Sequence, residues 1–289
     1  MILVVGDVVD DIGVLPLEPV APRSDTRAQI RMTPGGSAAN TAAWLGFLGA
    51  DTRFFGKVGN DGIERHGGAL REHQVDPRLV ADPLLPTATI VLTLDDDADR
   101  TMYVDRAANG TLTIDEITED LWQDVDWLHL TGYTFFDPQT RDVAVELIAE
   151  AKQRGAGVSV DPSTTAFLRE ATPEAFVDWT SGADLVLPNL DEARLMVGAT
   201  GPFVDFDVLT RMYPNVVVTL GSMGAAYVAG SVREQVAAPR VQVVDTTGAG
   251  DAFTAGFLAS WVADRDPRAA LQGGIGAASR CVQQRGARP

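Results

Sequence analysis

The chain has 289 residues, 45% of them hydrophobic, with a formal charge of −17 and a single cysteine, Cys281. That is enough apolar chain to bury a large core, as one big α/β domain or two small ones. The charge excludes nucleic acid and anionic membrane surfaces, which both need a basic footprint to displace counterions; one cysteine excludes an internal disulfide, and no stretch has the uninterrupted apolar length of a membrane helix.

Along the chain, apolar strands alternate with amphipathic helices. Ile2 to Val5 reads as a buried strand with no basic region or cleavage site before it, so the cytoplasm is the expected location. Residues 12–33 read as short antiparallel strands punctuated by Pro16, Pro19 and Pro22. Arg53 to Val58 is a buried strand, and residues 88–105 are again short antiparallel strands around the turn Asp95-Asp96-Asp97-Ala98-Asp99. Trp127 to Leu130, Val158 to Val160, Leu185 to Leu187 and Val216 to Leu220 continue the buried strands, with helices at Thr140 to Arg154 and Leu190 to Val197. Val241, Val243 and Val244 carry a last strand. After it, Phe253, Phe257, Leu258 and Trp261 recur at the spacing of a buried helix face. The expected fold is α/β: a doubly wound, mostly parallel sheet with helices on both faces, in one domain spanning 1–289. Cys281 lies in a small-residue helical stretch, which favours a buried thiol over a nucleophile, and His66, His73 and His129 form no metal-binding cluster with it.

The most informative run is DTTGAGDAFTAGFLA, Asp245 to Ala259. Gly248 and Gly250 sit at a helix N-terminus, where unpaired N–H groups and the helix dipole favour an anion and glycine lets it approach the main chain. Asp251 follows at once. Such a turn stabilises charge on a migrating phosphoryl group while the carboxylate accepts the proton of an attacking hydroxyl. The plainer alternative is a capped helix start whose Asp251 only complements the dipole. Lysine occurs only at Lys57 and Lys152, so none follows a glycine loop and the usual P-loop arrangement is excluded.

A second run, Gly35 to Asp61 (GGSAANTAAWLGFLGADTRFFGKVGND), opens a helix on two glycines and places Asn40 about one turn in, where backbone and amide can both reach a polyhydroxyl ligand. Together the two runs closely resemble the signature motifs of the ribokinase-like (PfkB) carbohydrate kinase family. GDVVDD (Gly6 to Asp11), PNLDE (Pro188 to Glu192) and TLGSMG (Thr219 to Gly224) fall in the family's order, so the resemblance covers essentially the whole chain. Asp11, Asn189, Gly221 and Asp251 all read as lying just past strand ends, where such sheets bind ligands.

The resemblance implies ATP as phosphoryl donor, Mg2+, and residues 12–33 and 88–105 as a β lid over the sugar site. A lid sheet has a second face, so a homodimer through the lid is expected. Asp11 would accept hydrogen bonds from two sugar hydroxyls; Gly35, Gly36 and Asn40 would line the same pocket, with Arg106 and Asn109 closing it from the lid side. Asn109 beside Gly110 is also an ordinary turn. Asn189 and Glu192, on one face of a helix start, would approach the ATP phosphates and magnesium, the carboxylate through water. Thr219, Gly221, Ser222 and Gly224 would hold the nucleotide by backbone. Gly248, Ala249 and Gly250 would stabilise the transferred group and Asp251 act as general base. Asp245, Thr247 and the carbonyl of Gly286 resemble a monovalent-cation site for K+.

Ribokinases proper carry a lysine after the glycine pair and an asparagine in the first-strand motif, whereas Ser37 and Val9 stand here. Ribose therefore fits but is not favoured; fructose or a related sugar or sugar acid, or a nucleoside, fits the same framework. Two further alternatives are a kinase of vitamin precursors such as pyridoxal or hydroxymethylpyrimidine, against which the GG…N run argues, and a non-catalytic sugar-binding regulator, which would not need Asp251 behind an anion turn.

Overall fold

Strand β1 (Ile2–Val5) sends Ile2 and Val4 to one face of a sheet and Leu3 and Val5 to the other, and each pair joins a different hydrophobic core. The computed structural model describes all residues except 95–99 and 202, so the turn expected at Asp95 to Asp99 lies outside the described residues. After β1 come β2 (Val9–Pro16), β3 (Ala28–Gly35), α1 (Ser37–Phe47), β4 (Thr52–Gly59), α2 (Ile63–Arg71), β5 (Asp76–Asp82), β6 (Ala88–Leu94) and β7 (Arg100–Asp105). The middle of the chain forms β8 (Trp127–Thr131), α3 (Pro138–Gln153), β9 (Gly157–Asp161), α4 (Thr165–Ala171), α5 (Pro173–Trp179), β10 (Leu185–Val186), α6 (Leu190–Met196) and α7 (Phe206–Met212). The last part supplies β11 (Asn215–Thr219), β12 (Ala225–Ala229), β13 (Val232–Val236), α8 (Ala249–Asp264) and α9 (Pro267–Cys281).

The main sheet has the order β13-β12-β11-β10-β9-β8-β1-β4-β5, parallel from β11 through β5, with β12 antiparallel to both of its neighbours. Period-two alternation puts Phe54, Leu185 and Val217 in a core with Trp44, Phe257 and Ile275 of α1, α8 and α9. Phe55, Val186, Val216 and Val218 join Leu147, Phe167, Phe176 and Leu209 on the opposite face. The doubly wound reading therefore holds. From β1 the chain order runs one way through β4 and β5 and the other way through β8 to β11, so the gap between β1 and β8 is a switch point of the kind where such sheets bind ligands. Among the described residues, no helix is long and apolar enough to cross a membrane.

A second sheet, β3-β2-β6-β7, is the lid, with β2 antiparallel to β3, parallel to β6, and β6 antiparallel to β7. Its register puts Asp11 on one face with Thr33, Ile90 and Val104, and Ile12, Met32, Val91 and Tyr103 on the other. Asp11 thus lies inside β2, not just past a strand end, because the chain turns at Gly6 to Val8 and starts a new strand.

One expected strand is absent. Val241, Val243 and Val244 are not in a strand, and Val243 and Val244 are more than half exposed. The sheet has ended at β13, Pro239 has no N–H to donate to a ladder, and the Val244 and Asp245 N–H groups donate instead to Val282 O at the end of α9. Asp251 consequently follows a helix-anchored loop and not a strand end.

Phe257 carries much of the packing behind α8, fully buried with its ring 6.3 Å from that of Phe253 and 5.7 Å from that of Trp261. Phe257→Ala is expected to lower unfolding free energy by about 3–5 kcal/mol, read as a lower denaturant midpoint at unchanged m.

Candidate active site

The site starts at the bend after β1. The Asp7 carboxylate accepts the N–H groups of Ser37 at 2.7 Å and Ala38 at 3.1 Å, and the Thr131 hydroxyl at 3.1 Å, tying the start of α1 to the ends of β1 and β8. Gly36, the residue before α1, has φ 96°, and a Cβ there would come within 2.5 Å of Asp7 O, so only glycine lets the helix begin this close. Ser37 and Asn40 then share a helix face. Ser37 Oγ donates to Asp251 Oδ1 at 2.7 Å and Asn40 Nδ2 donates to Oδ2 at 3.0 Å.

Asp251 occupies the first turn of α8. Gly248 precedes that helix at φ 75°, where a Cβ would sit 2.6 Å from Ala287 Cα, and no side chain caps the helix. The first ladder bond runs from Ala252 N to Gly248 O, so the Gly250 and Asp251 N–H groups precede it, and Gly250 is exposed. Burial pushes the Asp251 carboxyl up to about 8, with Asp161 and Asp7 adding to it and the Ser37 and Asn40 bonds opposing.

Three aspartates near the first strand have separate environments. Asp10 is held by Arg65 Nε at 3.1 Å and by His66 Nε2 at 3.1 Å, and Asp7 is taken up by α1. Among the described residues Asp11 makes no side-chain hydrogen bond. Its carboxylate lies over Gly35, where a Cβ would be 1.9 Å from Oδ2. Burial raises its pKa to about 6, with Asp7 adding and Arg288 opposing. Arg106 and Asn109 stay outside this cluster's hydrogen bonds. Arg106 Nε donates to Asp137 at 2.6 Å and Nη2 to Tyr133 O at 2.9 Å, while Asn109 bonds Val8 with both ends of its amide.

The second half of the site lies beside α6. Asn189 Oδ1 accepts the Asp191 and Glu192 N–H groups, and Glu192 Oε2 accepts the Asn189 N–H, a reciprocal cap. Glu192 is buried, and its carboxyl is pushed up to about 8, first by burial and then by Asp161. Asp161, at the end of β9, is raised to about 6 by burial and accepts from the Ser163 N–H and from Thr254 Oγ1 of α8. Asn189 bridges to Thr219 at the end of β11, and Gly221, Ser222 and Gly224 form the turn into β12, with Gly224 N donating to Gly221 O. A cavity of about 640 Å³ opens here, lined by Ser163, Asn189, Glu192, Arg194, Thr219 and Gly221 among others. Asp245, Thr247 and Gly286 also meet: Asp245 Oδ1 accepts from the Thr247 N–H and hydroxyl, and Oδ2 from the Gly286 N–H at 3.2 Å. Cys281 is buried and its Sγ donates to Thr247 O, so the thiol helps hold the turn before α8.

Several participants carry no motif in the sequence. Asp161 is only the last residue of an apolar strand, and Tyr133 follows another. Arg288 donates from Nε to Asn40 Oδ1 and from Nη2 to Gly35 O, both at 3.0 Å, across 248 and 253 residues of chain. Ser37 stands out only as a departure from the ribokinase pattern.

A glycine turn at a helix N-terminus, a carboxyl pushed up to about 8 and an open cavity beside Glu192 and Asp161 form a constellation suited to moving a phosphoryl group between two ligands. The whole chain, residues 1–289, matches the model of the pfkB family of carbohydrate kinases. It is 28% identical to a fructokinase of Vibrio alginolyticus over 98% of this chain and 93% of the relative. It is 30% identical to an ATP-dependent ribose-1-phosphate kinase of Halopiger xanaduensis over 87% of this chain and 82% of the relative. The fructokinase of Vibrio cholerae O395, solved with fructose, ADP and calcium ion, superposes at a TM-score of 0.82 with 27% identity over 99% of this chain and 94% of that one. The fold and site define a sugar phosphotransferase. The chain belongs to the pfkB carbohydrate kinase family, with a ribokinase-like fold.

Asp11, Asp161, Glu192 and Asp251 all bind protons more tightly folded than unfolded, since ordinary carboxylates titrate at about 4. Their contribution to stability is present below about pH 4 and is lost as pH rises through about 6 to 8. Melting curves should therefore show a fall in Tm between about pH 5 and 9, shallower in Asp251→Asn; equal slopes in the two proteins would contradict a raised Asp251.

Proposed function

We propose that this protein is an ATP-dependent kinase of a ketohexose such as fructose, transferring the γ-phosphoryl group to a primary hydroxyl with Asp251 as general base. The observation that carries this reading is the position of Asp251, at the start of α8 with its carboxylate held toward α1 by Ser37 and Asn40. The fructokinase relatives support the acceptor class. A carboxylate with a pKa near 8 is matched to accept the hydroxyl proton near neutral pH. The N–H groups of Gly248 and Gly250 stabilise the charge on the transferred group, whereas the Ala249 N–H donates to Thr246 O at 3.3 Å and would join them only by leaving that bond. Asp11, Gly35, Gly36 and Asn40 orient the sugar on one side, and Asn189, Thr219, Gly221, Ser222 and Gly224 hold the nucleotide on the other. Arg106 and Asn109 support the lid side through Asp137 and Val8.

A divalent ion, Mg2+, fits beside the buried Glu192 carboxylate and Asp161, whose negative charge adds to burial in raising the proton affinity of Glu192. When bound, it supplies charge neutralisation for the nucleotide phosphates. Asp245, Thr247 and the Gly286 carbonyl would hold K+, a reading supported by the Asp245 carboxylate drawing Thr247 and the Gly286 backbone together. In a chain of net charge −17 these cations and the helix N-terminus give ATP a local attraction that the surface does not. ADP release over a panel of fructose, ribose, adenosine and pyridoxal tests the acceptor class; a nucleoside or vitamin precursor turned over faster than every sugar would displace it.

Asp251→Asn keeps the shape of the side chain and removes the proton acceptor. Its kcat should drop roughly 100- to 10,000-fold, with KM for both substrates little changed and no loss of Tm. In the unmodified enzyme kcat/KM should fall tenfold per unit of pH below about 8. A variant with near-normal kcat would leave Asp251 as a helix-start residue only.

The lid is proposed to pair with a second copy through the face opposite Asp11, where Ile30, Met32 and Tyr103 are 65, 58 and 62% exposed. Sedimentation should give twice the chain mass, and Ile30→Glu with Met32→Glu should give the single mass. A monomer at micromolar concentration in the unmodified protein would refute the pairing and leave the chemistry untouched.

A further inference from the structure

Arg288 has no role in the sequence motifs, yet its guanidinium reaches the centre of the site. Ala287 packs against Gly248 and its carbonyl accepts Trp44 Nε1–H at 2.8 Å, so the segment is pinned between α1 and the turn before α8. From there Arg288 Nε bonds Asn40 Oδ1 and Nη2 bonds Gly35 O. The first bond orients the amide so that Asn40 Nδ2 faces Asp251. Nη1 is closed off from solvent and, among the described residues, has no hydrogen-bond partner. A buried cationic donor left unmatched is costly, and in a ligand site it is matched when the ligand arrives.

The surroundings restrict what that ligand group can be. Arg288 feels three carboxylates, Asp11, Asp251 and Asp7, and stays charged at neutral pH although burial lowers it to about 10. Asp11 lies over Gly35, whose carbonyl Arg288 holds, and Asp11 too lacks a protein hydrogen bond among the described residues. A cationic donor and a carboxylate acceptor, both unmatched and both at Gly35, suit a group that accepts and donates at once. A hydroxyl does so. A phosphate or carboxylate oxygen can only accept, and would meet Asp11 and its neighbours as like charges.

We propose that Arg288 is an acceptor-binding residue: Nη1 donates to the oxygen of a sugar hydroxyl whose own O–H donates to the Asp11 carboxylate, and the pair selects neutral acceptors over those carrying a phosphate or carboxylate at that position. The proposal rests on the sugar-kinase reading and deepens it. It sets this chain apart from its ribose-1-phosphate kinase relative in the charge of the acceptor.

The test is calorimetric binding of fructose, its monodeoxy analogues and fructose 1- and 6-phosphates to the unmodified protein, Arg288→Gln and Arg288→Lys, with Tm recorded for each. Calorimetry reads binding whether or not turnover occurs, so an inactive enzyme that binds these ligands fails the kinase reading alone. Arg288→Gln should weaken fructose at least tenfold and change ATP affinity less than twofold. One deoxy analogue should bind at least tenfold worse than fructose to the unmodified protein, and that penalty should shrink severalfold in Arg288→Gln, where only the Asp11 bond to the hydroxyl remains. Arg288→Lys keeps the charge and loses the fork, so it should recover only part of the affinity and serves if the glutamine variant does not fold. The proposal is overturned if the deoxy penalties are the same with and without Arg288, if fructose affinity is unchanged in both variants, if no sugar binds, or if the fructose phosphate that is not the product of turnover binds the unmodified protein better than fructose.

Discussion

Two helix starts meet at the Asp251 carboxylate through Ser37 and Asn40, 214 and 211 residues before it in the chain. Every other part of the site is arranged around that contact. Asp7 fixes one helix start to the sheet by accepting two of its N–H groups, and the end of α9 fixes the other through Val282 O and Cys281 Sγ. Because α1, α8 and α9 share one hydrophobic core, the aromatic stack of Phe253, Phe257 and Trp261 holds the position of the carboxylate in the first turn of the same helix. Packing and the proposed chemistry are thereby coupled along one rigid element, of the kind that holds reacting groups within the tolerance phosphoryl transfer requires.

The site concentrates charge of one sign. Asp7, Asp11, Asp161, Glu192 and Asp251 lie close enough to influence one another, and four of them are pushed toward protonation chiefly by burial. A fold selected for stability alone would not gather them. Perturbed carboxyls of this kind cluster where a ligand or cation completes the arrangement, and the stability they withhold is returned on binding. Asp10 shows the contrast: it is satisfied by Arg65 and His66, and its role is to fasten the base of the lid to α2.

Much of this was legible in the sequence for local reasons. The period-two and period-3.6 patterns gave the alternating strands and helices, because a side chain's face is set by its position in the repeat. The glycine turn before Asp251 and the glycine pair before Ser37 were readable because only glycine tolerates those backbone angles and approaches. The strand expected at Val241, Val243 and Val244 failed because hydrophobic alternation says nothing of whether a neighbouring strand is available to pair with. Asp11 was read just past a strand end because a bend and a new lid strand look alike until the register with Thr33 and Ile90 is known.

The sequence alone therefore determined the class of fold, the two helix starts and the residue types at them, all consequences of interactions between near neighbours. Only the tertiary structure decided that Asp161 would face Glu192, that Arg106 and Asn109 would be occupied by Asp137 and Val8, and that Arg288 would reach Asn40 and Gly35. Those are contacts across tens to hundreds of residues. They exist because burying two helical layers on one sheet brings distant backbone segments to a single edge, and no local pattern records which side chains will meet there.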